Sequence, residues 1–242
     1  MSTARPLQRQ HRRHGSATCM GKTLLGLRGG EVLVFESSKA SMRRLHDSRF
    51  ATRWFIGHGI DVGAGQDNLG NFHEFFPGMR SCRAWDMPDG DAQTLQGVPD
   101  NSLDFVHSSH CLEHLADPTA ALQNWIRVLK PAGHLVILVP DEDLYEQGVF
   151  PSTFNPDHKW TFTIAKSTSW SARSVNIVDF AKGFADRIQI LKIELLDATF
   201  RFSVPRFDQT LTPVGESAIE LVARKWTAED LAMQGRARPA PR

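Results

Sequence analysis

The chain has 242 residues, 41% of them hydrophobic and 23% charged, with a formal net charge of +1. That length suits one large α/β domain of about 200 residues with added tails, and the near-neutral balance excludes a long-range pull of the whole chain toward nucleic acid or an anionic membrane. Cys19, Cys82 and Cys111 show no CxxC spacing, which argues against a disulfide framework or a zinc knuckle and fits a reducing compartment.

Residues 1–21 read as a flexible basic tail, since Arg5, Arg9, Arg12 and Arg13 meet no acid before Glu31. A nucleic-acid arm or a transit peptide are the sharper readings of such a tail; the lack of aromatic residues to stack on bases weighs against the arm. Residues 22–56 read as an extension of two parts. KTLLGLRGGEVLVFESS at 22–38 has the pattern of a hairpin, and the segment 38–55 that of a helix with Met42, Leu45, Phe50 and Trp54 on one face. The main domain is expected over 57–226, with an insertion at 141–182 and a tail at 227–242.

FIGHGIDV predicts a strand running into the glycine-rich DVGAG, CRAWD at 82–86 a second, and SLDFVHSS at 102–109 a third. Asp117 before Pro118, with Ala121, Leu122, Trp125, Val128 and Leu129 on one face, predicts a capped helix ending at Lys130-Pro131-Ala132-Gly133. HLVILV at 134–139 is a near-continuous apolar strand, as parallel sheets covered on both faces require. IQILKIELLD at 188–197 and ESAIELVARK at 216–225 predict two closing strands, paired antiparallel. Alternating β and α units of this kind make an open, doubly wound sheet. The longest apolar run, near 135–139, is far short of the roughly 20 residues of a membrane span, so no membrane contact and a cytoplasmic location are expected.

Gly63 and Gly65 let the backbone turn sharply after the first strand and approach a ligand without a Cβ in the way. A dinucleotide fingerprint begun there would want its third glycine where Asn68 stands, which weighs against a dinucleotide-dependent oxidoreductase. Asp86 ends the second strand about 20 residues on, where an acid in such folds takes the hydroxyls of a ribose.

DVGAG, GDAQTL, PDNSLDFVHSSHCLEHL and WIRVLKPAGHLVILVPD, in that order, resemble a class I S-adenosylmethionine-dependent methyltransferase of the group called methyltransferase type 11. The resemblance implies a Rossmann-like, seven-stranded sheet with an antiparallel last strand, and S-adenosylmethionine as cofactor with S-adenosylhomocysteine as product. It implies that Asp61, Gly63 and Gly65 form the first motif beside the methionine part, that Asp86 takes the ribose, and that Asp91 and Ala92 hold the adenine edge. Ser108, Ser109 and His110 would then lie near the carboxylate and sulfonium. Asp67 stands where many members have glycine, and the stretch from Asp86 to Asp91 is too short for the usual helix and third strand. The division of roles between Asp86 and Asp91 is therefore open.

In HSSHCLEHL, residues 107–115, His110, Cys111 and His114 would hold a metal only if the segment were helical throughout; since a strand ends within it, no metal is expected. Methyl transfer to a hydroxyl needs alignment and removal of one proton, and a histidine suits the second task. The candidates are His110 and, in the insertion, His158, tuned by Asp157 or Asp141 and flanked by Trp160 as an apolar wall. A small-molecule or glycan acceptor follows from the acid and aromatic residues of the insertion, and a nucleic-acid partner is not expected. A non-catalytic binding protein of the same fold is the other reading, and the oligomeric state, a homodimer among the options, is open.

Overall fold

The computed structural model describes residues 36–236. Its centre is a six-stranded sheet of β1 (Gly57–Val62), β2 (Met79–Trp85), β3 (Leu103–Ser109), β4 (Leu129–Pro140), β7 (Ile188–Leu196) and β8 (Ala218–Lys225), in the order β2-β1-β3-β4-β8-β7. The pairs β1–β2, β1–β3 and β3–β4 are parallel, and β8 lies antiparallel to both β4 and β7. A small parallel pair, β5 (Thr161–Thr163) and β6 (Ser174–Asn176), followed by helix α3 (Ile177–Lys182), occupies the insertion.

The seventh strand expected from the family resemblance is not formed. Residues 87–102, where a helix and an edge strand would have to fit, run in turns, with Gly90, Gly97, Leu95 and Asn101 at positive φ. Ala92, Leu95 and Val98 from this stretch are nevertheless buried and fill the core, so a short segment covers the sheet without extending it.

The continuous apolar runs of β3 and β4 are explained by two cores. Val106, Leu135, Ile137 and Val139 face one core, where helix α2 (Pro118–Val128) inserts Trp125; Phe105, Val136 and Leu138 face the other, with Phe50, Phe55 and Phe76. Side chains alternate with period two, so a strand between two helical layers is apolar on both faces. Helix α2 begins as expected, the Asp117 carboxylate accepting from Thr119 N and Ala120 N with Pro118 in the first turn. Lys130 to Gly133 form a bulge between the pairs Leu103–Leu129 and Phe105–His134, with Ala132 at φ 66°.

The hairpin expected over 22–38 lies outside the described residues except for its last three, Glu36 to Ser38, which open helix α1 (Glu36–Arg44). The helix expected over 38–55 is broken, since α1 stops at Arg44 and a short helical turn resumes at Phe50–Trp54. Of the expected apolar face, Phe50 and Trp54 are buried, but within α1 the buried side is not the apolar one. Met42 and Leu45 are exposed, whereas Ser37, Lys39, Ala40, Ser41 and Arg44 are buried.

The reason for that inversion is Glu220 of β8, a carboxylate with no exposure, which draws the basic side of the helix inward. Arg44 Nε donates to Glu220 at 3.0 Å, Arg43 grips both its oxygens at 2.9 and 3.1 Å, and Lys192 Nζ adds a bond at 2.7 Å. Lys39 Nζ meanwhile donates to the carbonyls of Thr210 and Gly215. Buried charges persist only when paired and hydrogen-bonded, and hydrophobic periodicity cannot register a cavity lined with acceptors. After β8 a short helix α4 (Ala228–Ala232) closes the described chain, with a capping box between Thr227 and Asp230 and an ion pair from Asp230 to Arg224 at 2.6 Å.

Candidate functional site

The carboxyl ends of β1, β2 and β3 come together at one edge of the sheet, where the parallel order turns outward and the crevice of an open α/β fold lies. After β1 the chain turns through Gly63 at φ 75° and Gly65 at φ 53°, conformations that cost a side-chain-bearing residue steric strain. Gly63 N and Ala64 N both donate to the carbonyl of Trp85 at the end of β2. Gly65 N donates to Asp86 Oδ2 at 3.2 Å, and Asp86 Oδ1 accepts from Met87 N. Asp86 thus joins the first turn to the second strand end, and it remains partly exposed. A Cβ added to Gly65 would meet no atom within 4 Å, so the turn faces open space.

Asp91 and Ala92 follow in the same rim. Asp91 Oδ1 accepts from Gln93 N, and the buried Ala92 offers its carbonyl to Trp125 Nε1 at 2.8 Å. At the end of β3 the Ser108 hydroxyl is buried and donates to Val62 O at 3.0 Å, tying β3 to β1. Ser109 Oγ is buried without a hydrogen-bond partner. His110 adopts φ 53°, in the left-handed region that is uncommon for residues other than glycine. Its Nε2 is likewise buried and accepts or donates no hydrogen bond, the nearest acid being Glu36 Oε2 at 3.8 Å.

Asp61 is buried. Its Oδ2 accepts from Leu69 N at 2.6 Å and its Oδ1 lies 2.6 Å from His107 Nδ1. Arg44 Nη1 stands 3.1 Å from the other ring nitrogen of His107. An arginine can only donate, so His107 Nε2 accepts and its Nδ1–H is given to Asp61. The Glu220 network is therefore continuous, through Arg44 and His107, with the first motif. Asp61 therefore also supports the first turn, with one bond to each of its oxygens.

Asp67, the residue in place of the usual glycine, accepts from Ser38 N at 2.9 Å and from Ser38 Oγ at 2.6 Å. It caps α1 from outside and pins that helix over the first turn. Replacing Asp67 with Ala is expected to cost about 1–2 kcal/mol, the worth of a helix cap, with Asn retaining part of the stability; urea unfolding of the three proteins measures it.

The insertion brings in a second group of side chains. His158 is buried and its Nδ1 lies 2.6 Å from Glu146 Oε1, so its partner is Glu146 and neither Asp157 nor Asp141. Asp157 instead holds His114, whose Nδ1 lies 3.0 Å from Asp157 Oδ2. Asp141 is spent as a cap, its Oδ1 accepting from Asp143 N and Leu144 N at the start of the turn Glu142–Glu146; burial pushes its carboxyl up to about 6 despite those bonds. Trp160 packs against the core, donates from Nε1 to Leu115 O and carries Arg173 over its ring at 4.4 Å, which makes it a support and not an open wall. Glu113, on the short turn Leu112–His114, has no exposure and lies amid His110, His114 and His158; burial raises its carboxyl but these three histidines outweigh that and hold it at about 2.

Reading the sequence alone missed Glu146 and Glu113. Glu146 had no motif to mark it, being 12 residues from its histidine, and Glu113 passed as a turn residue. Among the described residues no helix is long and apolar enough to cross a membrane.

Comparison with known proteins agrees with this geometry. Residues 60–137 match the family model described as a methyltransferase domain. A 37.1 kDa uncharacterized protein of a Streptomyces fradiae transposon is 44% identical over 54 residues, 22% of this chain and 15% of that protein. An uncharacterized methyltransferase of Schizosaccharomyces pombe is 39% identical over 59 residues, 24% of this chain and 20% of that protein. The chain thus matches only a fifth or less of these relatives' lengths. Among solved structures, a Listeria monocytogenes protein named for S-adenosylmethionine-dependent methyl transfer covers 77% of this chain and 98% of its own at 10% identity, with a TM-score of 0.50. An Archaeoglobus fulgidus S-adenosylmethionine-dependent methyltransferase covers 77% and 92% at 17% identity, with a TM-score of 0.48. At such identities the likeness to the Listeria protein speaks to fold alone.

Proposed function

We propose that this chain, which carries a class I S-adenosylmethionine-dependent methyltransferase domain, moves the methyl group of that cofactor to a hydroxyl of a small molecule or glycan unit, leaving S-adenosylhomocysteine. The observation that carries the reading is the glycine turn at Gly63 and Gly65 bonded to Asp86 across two strand ends. It is the arrangement by which such sheets hold a nucleoside.

The residues fit the cofactor. Asp86 keeps lone pairs for the ribose hydroxyls beyond its two backbone bonds, and it is favoured over Asp91 for this role by its bond to the glycine turn. Asp91 and Ala92 would line the adenine edge. Ser109 Oγ and His110 Nε2, both buried and unpartnered, are polar groups that want a ligand at the third strand end, and Ser108 holds that end in register. Asp67, which as a departure from the usual glycine would favour a non-catalytic protein, is occupied by Ser38 and so leaves the turn free.

Bound S-adenosylmethionine supplies an already activated methyl group. The chain's own task is to align the acceptor and take its proton. His110 suits the second role, being partly exposed with Nε2 uncommitted. Asp141, as a helix cap, takes no step, and His158 acts through the buried cluster it shares with Glu113. A cavity of about 380 Å³ lined by Asp143, Gln147, Trp170, Phe202, Arg206 and Gln209 adjoins Glu146 through the bond from Arg206 to Glu146 O. Its mixed polar and aromatic lining supports a polyhydroxylated acceptor, with aromatic faces for a ring and amide and guanidinium groups for hydroxyls.

Asp86→Ala is expected to weaken S-adenosylhomocysteine binding about tenfold to a hundredfold, the loss of hydrogen bonds to a charged group. Titration calorimetry on the two proteins reads this; equal affinity would remove Asp86 from the site. Transfer of labelled methyl to a panel of hydroxylated acceptors tests the acceptor class, and transfer only to amines would replace it.

A further inference from the structure

We propose that Glu113, His114 and His158 form a binding site for a first-row divalent transition metal ion. The three lie on two segments, the turn after β3 and the insertion after β4, and each offers one donor atom within 4.8 Å of the others. Glu113 Oε1 is 3.8 Å from His114 Nε2 and 3.9 Å from His158 Nε2. Those separations are too long for hydrogen bonds. They are within a few tenths of an ångström of the roughly 3.3–3.5 Å between ligands about a tetrahedral zinc with bonds near 2.0–2.1 Å.

Both oxygens of Glu113 are buried and accept no hydrogen bond. An ionised carboxylate removed from water with neither oxygen bonded is costly unless something else compensates it. Ring nitrogens of three histidines approach it, His110 Nδ1 at 3.5 Å, His114 Nε2 at 3.8 Å and His158 Nε2 at 3.9 Å. A cation between Glu113 and the two imidazoles supplies the missing partner.

The outer groups carry the argument further. A metal-bound histidine almost always gives its other ring N–H to a carboxylate or carbonyl, which fixes the tautomer and aims the free nitrogen at the ion. Both histidines are built this way. His158 Nδ1 is held by Glu146 Oε1 at 2.6 Å and His114 Nδ1 by Asp157 Oδ2 at 3.0 Å, leaving each Nε2 turned toward Glu113. The rings meet edge to face with centroids 4.9 Å apart.

Four carboxylates, Glu36, Glu113, Glu146 and Asp157, surround the three histidines, against two nearby ammonium groups, Lys39 on Glu36 and Lys159 on Asp157. This surplus favours a dication. Two imidazoles and a carboxylate suit zinc or ferrous iron over magnesium or calcium, which prefer oxygen ligands. The expectation of no metal counted residues 107–115 alone; the third ligand comes from 44 residues beyond His114, as the two numbers give, and only the fold brings it in.

The test uses the full chain, stripped with chelator and titrated with Co2+ while its visible ligand-field absorption is followed. The expected result is a band that saturates at one equivalent and is bleached by Zn2+. His158→Ala and Glu113→Gln are expected to lose at least a hundredfold in affinity, and Asp157→Asn about tenfold, as loss of an outer partner does. Asp157 is partly exposed, so its variant folds even where the buried ones do not. No band in the folded wild-type protein, or undiminished Co2+ affinity in Asp157→Asn together with His158→Ala, would overturn the site. Binding of S-adenosylhomocysteine to the stripped protein is measured separately, so failure here and failure of the methyl-transfer reading are distinguishable.

Discussion

Glu220→Gln is expected to destabilise the protein by about 3–5 kcal/mol, the cost of removing one partner from a buried ion pair. Arg44 has no exposure and its charge is balanced chiefly by Glu220; burial and the neighbouring Arg43 both push its guanidinium toward deprotonation, and Glu220 opposes them. Taking away the carboxylate strands the buried Arg44, whereas Arg43 keeps Glu216 and Lys192 keeps Glu194. The double variant Arg44→Met with Glu220→Gln is expected to recover much of the loss, since it removes the buried charge as well as its partner. Urea unfolding at neutral pH compares the three proteins.

The same carboxylate gives the stability a sign in pH. Glu220 is held far below its ordinary value of 4.5: burial pushes it up, but Arg44, Arg43 and Lys192 more than reverse this. A group whose folded value is depressed contributes stability that is fully present above its unfolded value, here 4.5, and is lost as pH falls below it. The wild-type protein is therefore expected to lose stability on acidification below about pH 4.5, and Glu220→Gln to show a shallower loss over the same range. Parallel curves for the two proteins would mean that the network does not carry this charge.

His110→Ala is the second large effect. Loss of a positioned base costs about a hundredfold to ten-thousandfold in the transfer step, and kcat is expected to fall by that factor while the affinity for S-adenosylhomocysteine stays within a few-fold. The geometry behind this is a histidine at φ 53° immediately after β3, backbone-bonded to Leu138 O, with Nε2 uncommitted. His158→Ala differs, because that ring is buried on Glu146 and its loss disturbs the insertion as well as turnover. A wild-type kcat in His110→Ala, on an acceptor hydroxyl, would move the proton transfer to another group.

The parts of the fold that were legible in the sequence are those governed by local rules. Helix α2 announced itself through Asp117, Pro118 and an apolar stripe, and β4 through an unbroken apolar run. The antiparallel closing pair followed from two β-rich runs flanking a polar, proline-containing stretch. Helix α1 was read with its wrong face inward because what it buries is charge, and the partners, Glu220 and the carbonyls of Thr210 and Gly215, are more than 170 residues away.

The candidate site divides in the same way. Gly63, Gly65 and Asp86 carry a spacing that a sequence displays, and they meet as that spacing implies. Asp61 stands where the motif puts it, and its bonds to His107 and Leu69 N could not be read from the sequence. The pairings of His158 with Glu146 and of His114 with Asp157 are products of how the insertion folds back on the turn after β3. Strand ends repeat across a fold class and leave motifs, whereas an insertion packs by its own contacts and leaves none.

The most direct measurement of the central claim is calorimetric titration of the full chain with S-adenosylmethionine. One site per chain is predicted, with binding in the micromolar range, competition by S-adenosylhomocysteine and marked weakening in Asp86→Ala. No heat at high micromolar ligand, together with quenching of tryptophan fluorescence by NAD(H), would contradict it.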